Sequence, residues 1–290
     1  MTDNLFNDPQ SLNTLYRPTW CPGCGNFSIW SSIKSALTQL GLPPEQLVIV
    51  YDVGCSGNMA DFLKVYGFHA LHGRAIPPAV GIKLANSDLK VLVVIGDGGG
   101  YGEGLTHFLN EMRGNHDITV LVHNNHRYSL TTGQMSPTTP KGTPTKSTPF
   151  GAIEQSLNPV ALALVNHATF IAREFAVNAA ALTARLVEAI NHPGFAVIDV
   201  LQPCLVFNPQ MDTRWYLDHL VALTDEAHDP HNRSLALTQA LRPDKIAVGL
   251  FWQDSQPQAY HQEDITLKNG PLVRHSLDHI DLTPLLVPFA

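Results

Sequence analysis

Hydrophobic residues of this chain occur in two arrangements, unbroken runs and helical repeats, which alternate along the first half. Unbroken runs are typical of strands buried on both faces, and they occur at Leu47–Tyr51, Lys90–Gly96 and 118–122. Apolar residues at helical spacing fill 27–40, where Gly41 should end the helix, and 105–112. This alternation predicts an α/β fold, in which a mostly parallel sheet is flanked by helices and joined by right-handed crossovers.

The same alternation resumes after a long polar loop. Residues 129–151 are rich in Thr, Pro, Gly and Ser without periodicity, and so long a loop in a compact domain usually serves a function. Beyond it, helices are predicted at 159–166, 178–191, 215–223 and 234–241. Strands are predicted at 169–172, 195–201 and 246–252, the last at an edge of the sheet.

Composition narrows the class of protein. With 290 residues, 44% hydrophobic and 15% charged, the chain can bury a large core and is not disordered. Its 18 Lys and Arg against 25 Asp and Glu give a net charge of −7, which argues against nucleic-acid binding. No stretch has the form of a signal peptide or a membrane span, so a cytoplasmic protein without membrane contact is expected.

Two polar motifs follow neighbouring predicted strands. GDGGG at 96–100 allows close approach of the backbone to a phosphate, but its spacing fits neither a Rossmann dinucleotide site nor a P-loop. Asn125 follows the next strand, so its amide and the carboxylate of Asp97 should meet at the carboxyl edge of the sheet, where such folds bind ligands. Oxygen ligands of this kind suit Mg²⁺.

The four cysteines are too few for a disulfide scaffold, yet four thiolates can complete a metal site. Cys21 and Cys24 form a C-x-x-C pair before a helix, whereas Cys55 and Cys204 each follow a predicted strand. The pair alone is compatible with a redox site or half of a zinc ribbon, and any single cysteine with a buried apolar residue. Because strand ends in a parallel sheet converge, a 4Fe–4S cluster is favoured.

Several stretches together resemble a known family. GDG at 96–98 followed by NN at 124–125 is similar to the thiamine-diphosphate motif. With its neighbours it resembles the β subunits of 2-oxoacid:ferredoxin oxidoreductases, most of all the 2-oxoglutarate members. The neighbours are YRPTWCPGCG at 16–25, VGCS at 53–56, YGFHALHGRA at 66–75 and GQMSPTT at 133–139. The resemblance runs in order from residue 16 to about 210.

This resemblance implies a thiamine-diphosphate-binding fold with three kinds of ligand. Asp97, Asn125 and the backbone carbonyl of Arg127 would hold Mg²⁺. The cluster ligands would be Cys21, Cys24, Cys55 and Cys204. Residues around the thiamine diphosphate would be Val53, Gly54, Cys55, Ser56, His72, Gly73, Asp97, Gly98, Gly99, Asn125, Ser129, Leu130 and Thr131. Residues 16–210 would form this binding domain, 1–15 an N-terminal arm, and 211–290 an extension of the same domain that contacts a partner.

The implied activity is the oxidative decarboxylation of a 2-oxoacid with coenzyme A to an acyl-CoA and CO₂, reversible in some members. Electrons would pass through the cluster to ferredoxin. The glutamate that activates the cofactor comes from an α subunit in this family, so an (αβ)₂ assembly is expected. Two other interpretations stay open: a non-redox thiamine-diphosphate decarboxylase or carboligase with structural cysteines, and a non-catalytic metal-binding scaffold subunit.

Three departures from the family pattern bear on the substrate and the site. Many members have Asp where Gly99 stands, and Tyr-Gly where Tyr128 is followed by Ser129. Asn58 stands where members often have a Lys or Arg facing the substrate carboxylate, so a cationic contact must come from elsewhere. The favoured substrate is 2-oxoglutarate, with pyruvate or a branched-chain 2-oxoacid as alternatives.

The histidines divide into one candidate for catalysis and a majority without such a role. His72 and Asn58 are the predicted catalytic residues, because both belong to segments that the resemblance places at the cofactor. His123 is expected to face the core and His126 the solvent, and neither is expected to be catalytic.

Overall fold

The computed structural model describes residues 8–276, 278 and 283–287, and within these residues the chain forms an eight-stranded sheet with helices on both faces. The strands are β1 (Leu47–Tyr51), β2 (Tyr66–His69), β3 (Lys90–Gly96), β4 (Thr119–Asn124), β5 (Arg127–Tyr128), β6 (Gln134–Met135), β7 (Phe170–Phe175), β8 (Ala196–Leu201), β9 (Leu220–Ala222) and β10 (Ile246–Gln253). The helices are α1 (Asn26–Leu40), α2 (Ile76–Ala85), α3 (Leu105–Gly114), α4 (Pro159–Val165), α5 (Ala179–Asn191), α6 (Thr213–His219), α7 (Arg233–Ala240), α8 (Tyr260–Glu263) and α9 (Thr283–Leu286).

The sheet is mostly parallel, which confirms the predicted fold class. Its strand order is β2-β1-β3-β4-β8-β7-β10-β9, and the first six strands in this order run in one direction. Strand β10 pairs antiparallel with β7, and β9 pairs parallel with β10. A separate ribbon of β5 and β6 follows β4. The carboxyl ends of β1, β3, β4 and β8 therefore lie side by side along one edge, called the carboxyl edge below.

Successive strand residues face opposite sides of the sheet, so two cores form. Val93 and Val120 belong to the core that includes residues of α2, α3, α4 and α7. Leu92 and Leu121 belong to the core that includes residues of α1 and α5. The helices are bounded by the residues that their ends require: Gly41 closes α1 at φ 60°, and the side chain of Asn178 accepts a hydrogen bond from the backbone of Ala181 at the start of α5.

Two expectations about elements need correction, and two elements were not predicted. The strand at 246–252 is not at the edge, because β9 pairs with its outer side. The helix expected at 215–223 ends at His219, and residues 220–222 of the predicted range form β9 instead. Strand β2 and helix α2 lie in a stretch for which no element was predicted; all four residues of β2 are exposed, so it lacks an apolar face that a pattern could reveal.

The chain ends are only partly described. Residues 1–7 of the expected N-terminal arm lie outside the described residues, and the following Pro9–Leu12 forms a 3₁₀ turn that buries Leu12. Strands β9 and β10, from the segment 211–290, belong to the same sheet as the rest. Among the described residues, no helix has both the length and the apolar character needed to span a bilayer.

Candidate functional site

Two adjoining cavities open at the carboxyl edge. The first, called the cofactor cavity, is lined by Val53, Gly54, Cys55, Ser56, His72, Gly96, Asp97, Gly98, Gly99, His123, Asn125, Arg127, Tyr128, Ser129, Leu130, Thr131 and Gln202. The second, called the cysteine cavity, is lined by Thr19, Trp20, Cys21, Cys24, Cys55, Asn58, Asn125, Ser129, Leu130, Gln202, Cys204, Leu205, Val206 and Phe207. The residues common to both are Cys55, Asn125, Ser129, Leu130 and Gln202.

Asp97 is the buried carboxylate of the cofactor cavity. It follows β3, and its Oδ2 accepts hydrogen bonds from Ser136 Oγ at 2.6 Å and Thr138 Oγ1 at 2.7 Å. Burial raises the pKa of this carboxyl to about 6, an effect that the two hydroxyl groups oppose. Ser136 and Thr138 come from the loop after β6, so this loop fixes one oxygen of the carboxylate.

A chain of buried polar groups supports this arrangement from behind. Asp199 on β8 accepts from Arg173 Nε at 2.9 Å, from Asn124 Nδ2 at 2.9 Å and from Tyr101 Oη at 3.1 Å. Thr138 Oγ1 lies 2.8 Å from Asn124 Oδ1, as well as beside Asp97. Asn124, the first residue of the NN pair, thus links the sheet interior to the loop that holds Asp97.

The turn after β4 brings Asn125 and Arg127 to the cavity. Asn125 Oδ1 accepts from the backbone N–H of Arg127 at 3.0 Å, and His126 between them has φ 62°. The expectation that His126 is exposed is wrong: its ring is buried and Nδ1 lies 2.9 Å from the carbonyl of Thr138. The Arg127 guanidinium is buried too, and its Nε and Nη2 have no hydrogen-bond partner within the described protein.

At two positions of the GDGGG motif, neighbouring side chains leave no room for any residue larger than glycine. A Cβ at Gly98 would overlap the ring of Tyr128, and a Cβ at Gly99 would overlap Oδ2 of Asp52. The backbone from Gly99 to Glu103 forms a π-helical turn, a feature common at functional sites. Both glycines line the cofactor cavity, and the space that a Cβ would need is filled by Tyr128 at position 98 and by Asp52 at position 99.

His72 lies at the cavity wall between two carboxylates. Its Nδ1 is 3.1 Å from Oδ2 of Asp52, and its Nε2 is 3.4 Å from Oε2 of Glu103. Tyr128 Oη donates to Glu103 at 3.1 Å. Gly73, predicted at the cofactor, does not line the cavity and packs against Glu103 instead.

All four cysteines surround the second cavity as free thiols. Cys204 is buried, Cys21 is exposed, and Cys24 and Cys55 are intermediate. Burial raises the pKa of Cys55 to about 12, and the charges of the other three thiols add to this effect. Trp20 Nε1 donates to the carbonyl of Cys55 at 2.7 Å, which fixes the loop after β1.

Every residue predicted to surround the thiamine diphosphate lines the cofactor cavity, apart from Gly73. Asn58 lines the cysteine cavity and His72 the cofactor cavity, so the two predicted catalytic residues do not share one wall. Sequence reasoning missed Asp52, Glu103 and Gln202, whose positions depend on contacts between distant segments. Ser136 and Thr138 lie in the GQMSPTT stretch, which carried the resemblance but no assigned role.

Known proteins are similar to this chain in sequence and in fold. Residues 52–200 match the family model described as "Thiamine pyrophosphate enzyme, C-terminal TPP binding domain", and 204–269 match the model for the C-terminal part of the pyruvate ferredoxin oxidoreductase beta subunit. The chain is 42% identical to 2-oxoacid:ferredoxin oxidoreductase subunit beta of Saccharolobus solfataricus over 257 residues, 84% of each chain. It is 44% identical to 2-oxoglutarate oxidoreductase subunit KorB of Mycobacterium tuberculosis, over 65% of this chain and 51% of the relative.

A solved structure extends the similarity to almost the whole chain. The 2-oxoglutarate:ferredoxin oxidoreductase from Magnetococcus marinus, with 2-oxoglutarate, coenzyme A and succinyl-CoA bound, matches with a TM-score of 0.89 and 31% identity. The match covers 98% of this chain and 96% of the other.

Proposed function

The chain belongs to the family of 2-oxoacid:ferredoxin oxidoreductase β subunits, and we propose that its enzyme oxidises 2-oxoglutarate with coenzyme A to succinyl-CoA and CO₂. The proposed enzyme is an (αβ)₂ assembly that passes electrons to ferredoxin. This proposal depends most on one observation: the cofactor cavity and the cysteine cavity share Cys55 and Asn125, so a site for decarboxylation adjoins a site for electron transfer.

The cofactor cavity suits thiamine diphosphate together with Mg²⁺. The thiazolium ring of thiamine diphosphate supplies an electron sink when a 2-oxoacid loses CO₂. Asp97, Asn125 and the Arg127 carbonyl would hold the metal. The diphosphate would lie against the backbone of Gly98 and Gly99, which line the same cavity. Five buried polar atoms of the lining residues lack hydrogen-bond partners within the described protein: Ser56 Oγ, His123 Nε2, Gln202 Oε1, and Nε and Nη2 of Arg127. Buried groups of this kind normally have partners, so a polar ligand is expected here.

The cysteine cavity suits a 4Fe–4S cluster better than a single zinc ion. Zinc would bring four sulfurs to about 2.3 Å from one point. No three His, Cys, Asp or Glu side chains in the described part of the chain converge in that way. The four thiols instead surround a cavity, as a larger cluster requires, and Cys21 at its exposed side offers a route for electrons towards ferredoxin.

The substrate assignment is supported by the relatives and by the basic residues of the site. The Magnetococcus marinus relative binds 2-oxoglutarate, coenzyme A and succinyl-CoA. Because Asn58 carries no charge, a carboxylate of the substrate needs another cation. Arg127 and His72 both line the cofactor cavity and are the candidates for this contact.

Co-expression with the α subunit and anaerobic purification test the proposal. We expect brown protein with four iron and four sulfide per β chain, and viologen reduction that requires both coenzyme A and a 2-oxoacid. A panel of 2-oxoglutarate, pyruvate and a branched-chain 2-oxoacid should show the highest kcat/KM for 2-oxoglutarate. Release of CO₂ without viologen reduction would instead identify a non-redox decarboxylase.

The cluster can be tested apart from the cofactor. Cys204→Ser should remove the brown colour and viologen reduction, while thiamine diphosphate still binds in calorimetry. A colourless wild-type protein containing zinc would overturn the cluster assignment.

A further inference from the structure

Asp52 is a buried acid at the carboxyl edge that no motif explains. It follows β1, its backbone N–H donates to the carbonyl of Val94 at 2.9 Å, and its side chain is fully shielded from solvent. Burial raises the pKa of this carboxyl, an effect that the neighbouring His72 opposes. A buried carboxylate is costly to retain unless it has a partner, and here the partner is the ring of His72.

The carboxylate of Asp52 also occupies the space beside Gly99. Strands β1 and β3 are neighbours, so the residues after them lie side by side. A Cβ at position 99 would overlap Asp52 Oδ2. The space beside position 99 is thus filled by an acid that follows the neighbouring strand β1. Asp52 in its observed conformation therefore leaves no room for a side chain at position 99.

We infer that Asp52 is a positioning residue that fills the space beside Gly99 and fixes the imidazole of His72 against the cofactor cavity. This inference rests on the proposed function, because it takes thiamine diphosphate as the occupant of that cavity. Nδ1 of His72 is bonded to Asp52 and the ring stands edge-on to Tyr128, with the ring centres 6.0 Å apart. Glu103 approaches the other ring nitrogen from the solvent side, where its own side chain is 43% exposed.

Of the two carboxylates that contact His72, that of Asp52 is the buried one. Its carboxylate is 0% exposed and lies against Gly99, whereas the side chain of Glu103 is 43% exposed and can turn into solvent. The orientation of His72 therefore depends on the Asp52 bond. Losing it should lower kcat through a misplaced imidazole.

A residue exchange tests the coupling in the αβ complex, with thiamine diphosphate affinity measured by calorimetry in the presence of Mg²⁺. Gly99→Asp alone places two carboxylates in one space and should weaken affinity by about tenfold or more. The double variant Asp52→Gly/Gly99→Asp moves the acid across the strands, and should return to within about threefold of wild type. If the double variant binds no better than Gly99→Asp, the inference is wrong.

A conservative pair separates positioning from folding. Asp52→Asn keeps an oxygen that can accept from His72 and should retain most of the kcat, whereas Asp52→Ala should lose about tenfold. Iron content and melting temperature should be equal in both, which shows that the fold is intact. Equal kcat in both variants and wild type would overturn the inference even if Gly99→Asp fails to fold. Wild-type complex that binds no thiamine diphosphate would overturn the proposed function instead.

Discussion

Asp97 places a carboxylate where the protein excludes water, and the hydroxyl groups of Ser136 and Thr138 hold one of its oxygens. Asp97→Asn keeps the shape and removes the charge that Mg²⁺ needs. We expect the affinity for thiamine diphosphate with Mg²⁺ to fall by at least about tenfold, measured by calorimetry. Iron content should stay at the wild-type level. Asp88→Asn, at an exposed acid paired with Arg274, is the control and should change neither quantity; unchanged affinity in the Asp97 variant would exclude it as a ligand.

Individual site residues were predictable where a motif marks them. Asp97 and Asn125 follow strands that the apolar runs define, so their meeting at the carboxyl edge follows from topology alone. Asp52 and Glu103 were not predictable, because each contacts His72 only through the pairing of strands and the π-helical turn. His126 was predicted to be exposed because its neighbours are polar, yet the loop after β6 covers it.

At the scale of elements, a buried ion pair and one hydrogen bond to its carboxylate connect three strands. Arg173 on β7 and Asp199 on β8 face each other in register, and Asp199 also holds Asn124 on β4. Asp199→Ala would leave Arg173 buried without a counter-charge, so we expect unfolding free energy to fall by about 3–5 kcal/mol in urea titrations. Glu226→Ala removes a partner of Arg242 at the surface and should have little effect. Similar losses in both variants would contradict the importance of burial.

A second element-scale prediction concerns His192, which ends α5. Burial lowers its pKa to about 4 from a usual 6.5, and Nε2 lies 2.9 Å from Thr169 Oγ1. The unfolded chain takes up a proton near pH 6.5 and the folded chain only near pH 4. Stability from this residue is therefore complete above pH 6.5, and up to about 3 kcal/mol is lost as pH falls to 4.

The His192 effect is measured as a difference, because other buried histidines titrate in the same range. His192→Gln removes the proton and keeps a group that can bond Thr169. In urea unfolding, the stability of wild type minus that of the variant should fall between pH 6.5 and 4. A constant difference across this range would show that His192 does not contribute.

The elements themselves were predictable in proportion to their burial. Strands β1, β3 and β4 have buried residues on both faces and appear as unbroken apolar runs. Strand β2 is exposed along its whole length and gave no signal. Helix α6 was predicted too long, because the apolar residues 220–222 continue its spacing but pair with β10 instead. Periodicity reports burial, and it does not report which element a buried residue belongs to.

On the scale of the whole molecule, the carboxyl edge is left open in a way that suits a partner chain. Among the described residues, no glutamate lines the cofactor cavity. Phe150 and Ile153, on the loop that returns along this edge to α4, are 103% and 83% exposed. Exposed apolar side chains that lie close together are typical of a protein interface.

If the α chain lies over this edge, charges on that loop should weaken the assembly. We expect Phe150→Asp/Ile153→Asp to shift the complex of α and β chains towards free chains in size-exclusion chromatography with light scattering, because burying a carboxylate without a partner is costly. Val165→Asp introduces the same charge at an exposed apolar residue at the far end of α4, next to the amino ends of the strands, and should leave the assembly intact. If both variants dissociate, the cause is a general loss of solubility. If neither dissociates, the interface lies elsewhere.

Free β chains from the double variant should keep their iron, since the cysteines belong to this chain alone, and should lose 2-oxoacid oxidation until excess α subunit is added.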